Sequence, residues 1–384
     1  MHILIAPNAF KNSLTAQAAA QAIEKGIKQS KLTCTTECFP IADGGDGTAA
    51  LIIQKLNGKY IPVQVQDPLG RNINASFGLI EDGKTAVIEM ADASGLRLLK
   101  RDEFNPLRAT SYGTGEMIKK ALDLGVKRIL IAMGGSATVD GGTGILKALG
   151  IDFLNQQGEP LINMPENLTK LHSINVSNID KRIADCDIVV LCDVDNMLLG
   201  NKGAAAVFGP QKGADEAAVK TLDKALANLN EVTLKKLNIN MSAAKYGGAA
   251  GGASAGVHAF LNAKLVNGID YLLELTGFDK ALQKSNLVIT GEGSIDEQTL
   301  QGKGPYGVAS RAKARGIPVI GMAGKLPIED NEQLNQCFDV LIAIGNEPAD
   351  IGTALAYTEQ NLIRTSKELA NMIRIGQMGT ADKI

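Results

Sequence analysis

Short apolar runs, most of them closed by glycine, alternate along this chain with stretches whose apolar positions recur at helical spacing. The opening Ile3-Leu4-Ile5-Ala6 reads as a buried strand. After the loop NAFKNS, Leu14, Ala18, Ala22, Ile23 and Ile27 predict a helix with Ser13 as its N-cap. ECFPIA predicts the next strand and ends in GGDG. The helix TAALIIQKLNG follows, with Thr48 as cap and Asn57-Gly58 as stop. This β-α-β-α grammar favours a parallel sheet. From about Val63 the pattern changes to short strands joined by Gly and Asp turns (VQVQDPLGR, INASFGLIEDG, KTAVIEMADASGL), which read as antiparallel. RILIAMGGSATVDGGTGILKALG then reads as strand, glycine-rich turn and helix. DIVVLCDVDN is an apolar strand ending in carboxylates, and a long helix follows Asp215 with Val219, Leu222, Leu226 and Leu229 on one face. LVITGEG, IPVIGMAG and DVLIAIGNE resume the opening grammar, and a helix over 351–374 closes it. The return predicts a discontinuous domain, residues 1–65 plus 284–384, with a mixed α/β domain over 66–283 inserted in it.

Composition narrows the function classes. The 384 residues carry 39 Lys and Arg against 41 Asp and Glu, a net charge of −2, so no basic field is available to hold a nucleic-acid backbone. No apolar run reaches the roughly 18 residues of a membrane helix, and no signal-like segment precedes the first strand. An intracellular protein with neither nucleic-acid nor membrane partners is expected. The five cysteines are too scattered for a disulfide framework and read as buried, inert thiols. His2, His172 and His258 lie far apart in sequence and form no cluster.

The 42 glycines gather at predicted strand ends, where open α/β sheets bind ligands. In ADGGDGT, Asp43 and Asp46 stand on a glycine scaffold. Paired carboxylates there suit Mg²⁺, which takes one or two carboxylates plus phosphate oxygens. In MGGSATVDGGTG, Gly134, Gly135 and Ser136 offer backbone amides and a hydroxyl to a phosphate, and Asp140 can hold a metal or orient a donor. In TGEGSIDEQTLQGKGP, Gly291, Glu292, Asp296 and Lys303 fit a nucleotide phosphate with its magnesium. Asp193, at the end of the DIVVLC strand, is placed to accept a proton from a hydroxyl. Lys11 and Ser13 complete the rim, and Lys11 or Arg71 can clamp a carboxylate. There is no G-x-x-x-x-G-K-[ST], no G-x-S-x-G and no complete G-x-G-x-x-G with an acid beyond it, which counts against a nicotinamide-dependent dehydrogenase. Acids, glycines and phosphate cradles together point to phosphoryl transfer. The same acids argue against a sensor that merely binds a sugar acid, since anion binding prefers donors.

The segments IAPNAFKNSLTA, PIADGGDGT, GGSATVDGGTG, CDVDN, FGPQKGA, GAAGG and TGEGSIDEQTLQGKGPYGVA, in that order, resemble the type 1 glycerate kinase family over nearly the whole chain. The resemblance implies a discontinuous Rossmann-like domain carrying a second α/β domain, with the active site in the cleft between them. It also implies a cytoplasmic enzyme that phosphorylates D-glycerate with ATP. Bacterial relatives mostly form 2-phosphoglycerate; 3-phosphoglycerate is the alternative. Monomer and homodimer both remain open on the residues alone.

Overall fold

The computed structural model describes residues 1–162 and 164–381. In chain order the strands are β1 (His2–Ile5), β2 (Thr35–Cys38), β3 (Lys59–Gln66), β4 (Asn72–Ile80), β5 (Thr85–Glu89), β6 (Arg128–Ala132), β7 (Asp152–Leu154), β8 (Ser173–Asn175), β9 (Asp187–Cys192), β10 (Lys264–Asn267), β11 (Leu287–Ser294), β12 (Val319–Lys325) and β13 (Val340–Ala343). Two compact units divide them: unit 1 comprises Met1–Asp43 and Ile269–Ile384, and unit 2 comprises Gly44–Gly268.

Unit 1 is built on a parallel five-stranded sheet in the order β13-β12-β11-β1-β2. Renumbered within the unit, this is the doubly wound order 2-1-3-4-5. Ile3, Leu4 and Ile5 are fully buried, as a central parallel strand requires, and each contributes on the order of 1.5–3 kcal/mol of apolar burial. Ile3 and Ile5 pack with Ala19, Ile23 and Ile27 of helix Ala16–Lys28 and with Leu362 of helix Thr358–Ala381. The first of these helices is capped by Thr15, whose Oγ1 accepts from the Ala18 amide at 3.2 Å, not by Ser13. The expected single helix over 351–374 is two, Ile351–Ala356 and Thr358–Ala381.

Unit 2 holds a six-stranded sheet in the order β10-β9-β6-β5-β4-β3. Strands β5, β6, β9 and β10 are parallel, while β4 runs antiparallel to both β5 and β3. A small antiparallel pair, β7-β8, lies beside it in sequence. Helix Glu216–Leu237, capped by Asp215, buries Leu222, Leu226 and Leu229 in the unit's core.

The division falls at 43/44 and 268/269, where the sequence suggested 65/66 and 283/284. Helix Thr48–Lys55 explains the first difference. It lies on β4 and β5 with Ile52 and Ile53 buried. Its N-terminal amides at Gly47 and Ala49 donate to Glu89 at the end of β5. The N-cap is therefore Gly47 rather than Thr48, and a carboxyl group from another strand accepts the amides left unpaired at the helix N-terminus. At the second boundary, Arg311 donates to the Asp270 carbonyl at 3.1 Å, and the Phe278 ring packs edge-on to Phe39 with centroids 5.1 Å apart. Both contacts tie 269–283 to unit 1.

Candidate active site

In unit 1 the chain leaves β1 in one direction and β11 in the other, so their C-terminal ends form the switch point where such sheets bind ligands. The Asn8 amide donates to Gly291 O at 2.8 Å, and Asn8 Nδ2 donates to Asp43 Oδ2 at 3.1 Å. Glu292 is 8% exposed and accepts from Thr299 Oγ1 at 2.8 Å. Burial pushes its carboxyl up to about 7; Asp43 adds to the rise, while the Thr299 hydroxyl, Lys303 and Lys11 oppose it. Lys11, Asp43 and Lys303, distant from one another in sequence, thus all act on Glu292 at this sheet edge. Helix Gly304–Lys313 begins there, and the Lys303 side chain makes no capping bond to its amides.

Other members of the predicted set shape this edge. Asp296 accepts from the Gln298 amide at 2.9 Å and from Ser294 Oγ at 3.3 Å, which fixes the loop. Gly291 is a strand residue in register with Met322 of β12, not part of a loop. Ser13 Oγ donates to Leu355 O at 2.6 Å beside an open hollow lined also by Glu359, so its hydroxyl is committed to structure.

In unit 2 the glycine-rich turn after β6 meets the GGDG turn. The Gly134 amide donates to Gly44 O at 3.1 Å, which removes it as a phosphate donor. Gly135 holds the left-handed φ of +71° that lets the chain reverse. Asp140 is 1% exposed and accepts from the Ser111 amide (2.9 Å), Ser111 Oγ (2.7 Å), and the amides of Gly142 (3.0 Å) and Gly144 (3.2 Å). With that many donors on its oxygens it is a structural anchor of the turn. Asp193 lies half-buried just beyond β9.

The residue that gathers this edge is one the sequence did not single out. Lys212 is 3% exposed, and its Nζ donates to Ser136 Oγ at 2.8 Å and to Thr138 O at 2.7 Å. Burial pulls its ammonium down to about 7, against the opposing pull of Asp140 and Asp193. Glu89 was missed as well. Burial pushes it up to about 8, and its bond to Asp46 adds to the rise.

Arg71 has a different task from the expected carboxylate clamp. Its Nε pairs with Asp67 at 2.5 Å and its Nη1 with Glu103 at 2.6 Å. Two acids already answer its charge and hold it above its ordinary value, Glu103 foremost. The cysteines also differ from expectation. All five are free thiols, but only Cys192 is buried, the others being partly exposed.

Asp43 and Asp46, expected to share a magnesium ion, have different neighbours. Asp46 belongs to unit 2 and pairs with Arg97 at 2.7 Å, and Arg97 in turn engages Asp92. Asp43 belongs to unit 1 and faces Glu292. Among the described residues no group of three or more acids, histidines or cysteines is arranged to hold a metal alone. A magnesium ion carried by a nucleotide needs only one or two carboxylates. Asp43 and Glu292, both hard oxygen ligands of unit 1, fit that requirement better than Asp43 with Asp46.

Comparison with known proteins agrees with this chemistry. The glycerate kinase family model matches residues 3–374. A glycerate kinase of Halalkalibacterium halodurans is 46% identical over 84% of this chain and 85% of its own. The Escherichia coli glycerate 2-kinase is 42% identical over 98% of this chain and 99% of its own. A crystal structure described as glycerate kinase 2 from Salmonella typhimurium superposes with a TM-score of 0.83 at 40% identity, covering 98% of this chain and 99% of that one. Among the described residues no helix is long and apolar enough to cross a membrane. With a match running almost end to end, and acids and glycines collected at the strand ends where phosphoryl chemistry needs them, the chain belongs to the glycerate kinase family.

Proposed function

We propose that this chain transfers the γ-phosphoryl group of ATP to the 2-hydroxyl of D-glycerate in the cytoplasm, giving 2-phosphoglycerate and ADP. The end-to-end likeness to a relative named glycerate 2-kinase, at 42% identity, carries this reading. Asp193 takes the hydroxyl proton as the substrate oxygen forms its bond to phosphorus, and the bond to the ADP oxygen breaks with its electron pair leaving on ADP. Lys11, Lys303 and the uncapped first turn of helix Gly304–Lys313 supply positive charge to phosphate oxygens. Magnesium, when bound, neutralises charge between phosphates, and Asp43 with Glu292 would hold it. Ser136 presents its hydroxyl to an anion from the turn after β6. Arg71 and Ser13 take no part, being engaged elsewhere.

Phosphorus NMR of the product made from D-glycerate and ATP tests the proposal. Phosphate on the 2-oxygen couples to one proton and gives a doublet. A triplet would place it on the 3-oxygen, and no organic phosphate at all would overturn the kinase reading.

A further inference from the structure

A lysine ammonium without access to water is costly to keep, because desolvation takes several kcal/mol from a buried ion. Lys212 is such a group, and the contacts around it are specific. It reaches the turn after β6 from the short turn Pro210–Lys212, across 76 residues of sequence to Ser136. An ammonium has three donors, and two of them meet Ser136 Oγ and Thr138 O. Because Ser136 Oγ accepts from Lys212, its own hydrogen is left to donate elsewhere. Thr138 Oγ1, in the same turn, is buried and has no hydrogen-bond partner among the described residues. The charges facing the ammonium are Asp140 and Asp193. Asp140 is satisfied by backbone amides and Ser111.

We infer that Lys212 is a positioning residue for phosphoryl transfer, holding the Ser136 oxygen as an acceptor so that the Ser136 hydrogen is free to donate to the transferred phosphoryl group. The inference rests on the proposed glycerate kinase reading and adds to it a residue that acts through Ser136. It also explains why the fold keeps a charge where an apolar side chain would pack at less cost.

The test compares Lys212→Met and Lys212→Gln with the wild-type enzyme, using D-glycerate and ATP. Gln keeps a hydrogen-bond donor for Ser136 or Thr138 O but no charge. Both variants should lose about 10²-fold or more in kcat. The loss should fall on kcat, with the KM for D-glycerate within about threefold of wild type, because the Ser136 hydroxyl serves the transferred phosphoryl group and not the acceptor. The melting temperature of Lys212→Met should match or exceed that of wild type, since a desolvated charge has been removed. Should Lys212→Met fail to fold, Lys212→Gln alone decides. Wild-type turnover in either folded variant would overturn the inference, as would a loss that appears in the KM for D-glycerate and leaves kcat unchanged. If the wild-type enzyme itself releases no ADP with D-glycerate, the kinase reading has failed instead, so the two failures are distinguishable.

Discussion

Replacing Gly251 by alanine should be among the most damaging single-methyl changes in unit 2. Gly251 adopts φ +66°, and a Cβ there would stand 2.0 Å from the Thr138 carbonyl oxygen and 2.6 Å from Val139 Cα. The left-handed conformation costs an L-residue roughly 1–2 kcal/mol. The close approach is to backbone, so the 138–139 segment must retreat by more than an ångström, an overpacking cost of about 1–3 kcal/mol. Together these predict about 2–5 kcal/mol, which for a unit of this size lowers the melting temperature by about 4–20 °C. Gly158→Ala supplies the control, because Gly158 has φ +80° but nothing within 4 Å of its added Cβ, leaving the conformational cost alone. Thermal unfolding of both variants isolates the steric part. Activity of Gly251→Ala, assayed well below its midpoint, should fall as well, since the displaced carbonyl is the one Lys212 holds. Equal destabilisation by the two substitutions would refute the close-approach argument.

Asp193→Asn should keep the fold and lose about 10²–10⁴ in kcat, read by ADP release; near-wild-type turnover removes Asp193 as the base. Arg71→Ala should leave the KM for D-glycerate within about twofold of wild type, since its guanidinium serves Asp67 and Glu103. A large rise in KM would restore Arg71 as a substrate clamp. Glu89, raised to about 8 by burial, keeps its proton in the folded state where the unfolded chain has already released it. Its contribution is therefore full below the ordinary carboxyl range and is lost as pH rises toward about 8. Glu89→Gln should flatten the decline of melting temperature over that window, and an unchanged slope would count against a protonated Glu89.

Much of the scaffold can be seen in the amino-acid order because parallel strands buried on both faces read as continuous apolar runs. Ile3-Leu4-Ile5, Arg128–Ala132 and Leu287 onward are of this kind, and the glycine turns mark their ligand-facing ends. What sequence cannot display is which distant group claims a side chain. Ser13 looks like the cap, but its hydroxyl is claimed by Leu355, 342 residues away, and Thr15 caps the helix instead. Arg71 stands four residues from Asp67, a visible partner, while Glu103 lies 32 residues on and closes the pair only in the fold. Lys212 sits in FGPQKGA, one of the segments that carry the family resemblance, and becomes central only when the chain brings it to Ser136, 76 residues away. Helix Thr48–Lys55 continues the opening grammar by pattern, yet its apolar face belongs to β4 and β5, and this moves the boundary between units.

The placement of β1 bears on how the protein is made. It lies between β2 and β11 and pairs Ile3 with Leu287, yet it is synthesised 284 residues ahead of that partner. At about 5–20 residues per second, roughly 15–60 s pass before its partner is synthesised. Until then β1 and β2 form a two-stranded fragment, which is marginal in water. At the same rate the 44–268 segment is complete roughly 1–4 s before β11 begins and roughly 4–15 s before β13 ends. During translation the 44–268 unit should therefore be complete first, while the nascent parallel pair of β1 and β2 waits with an open, aggregation-prone edge for the carboxy-terminal third to arrive.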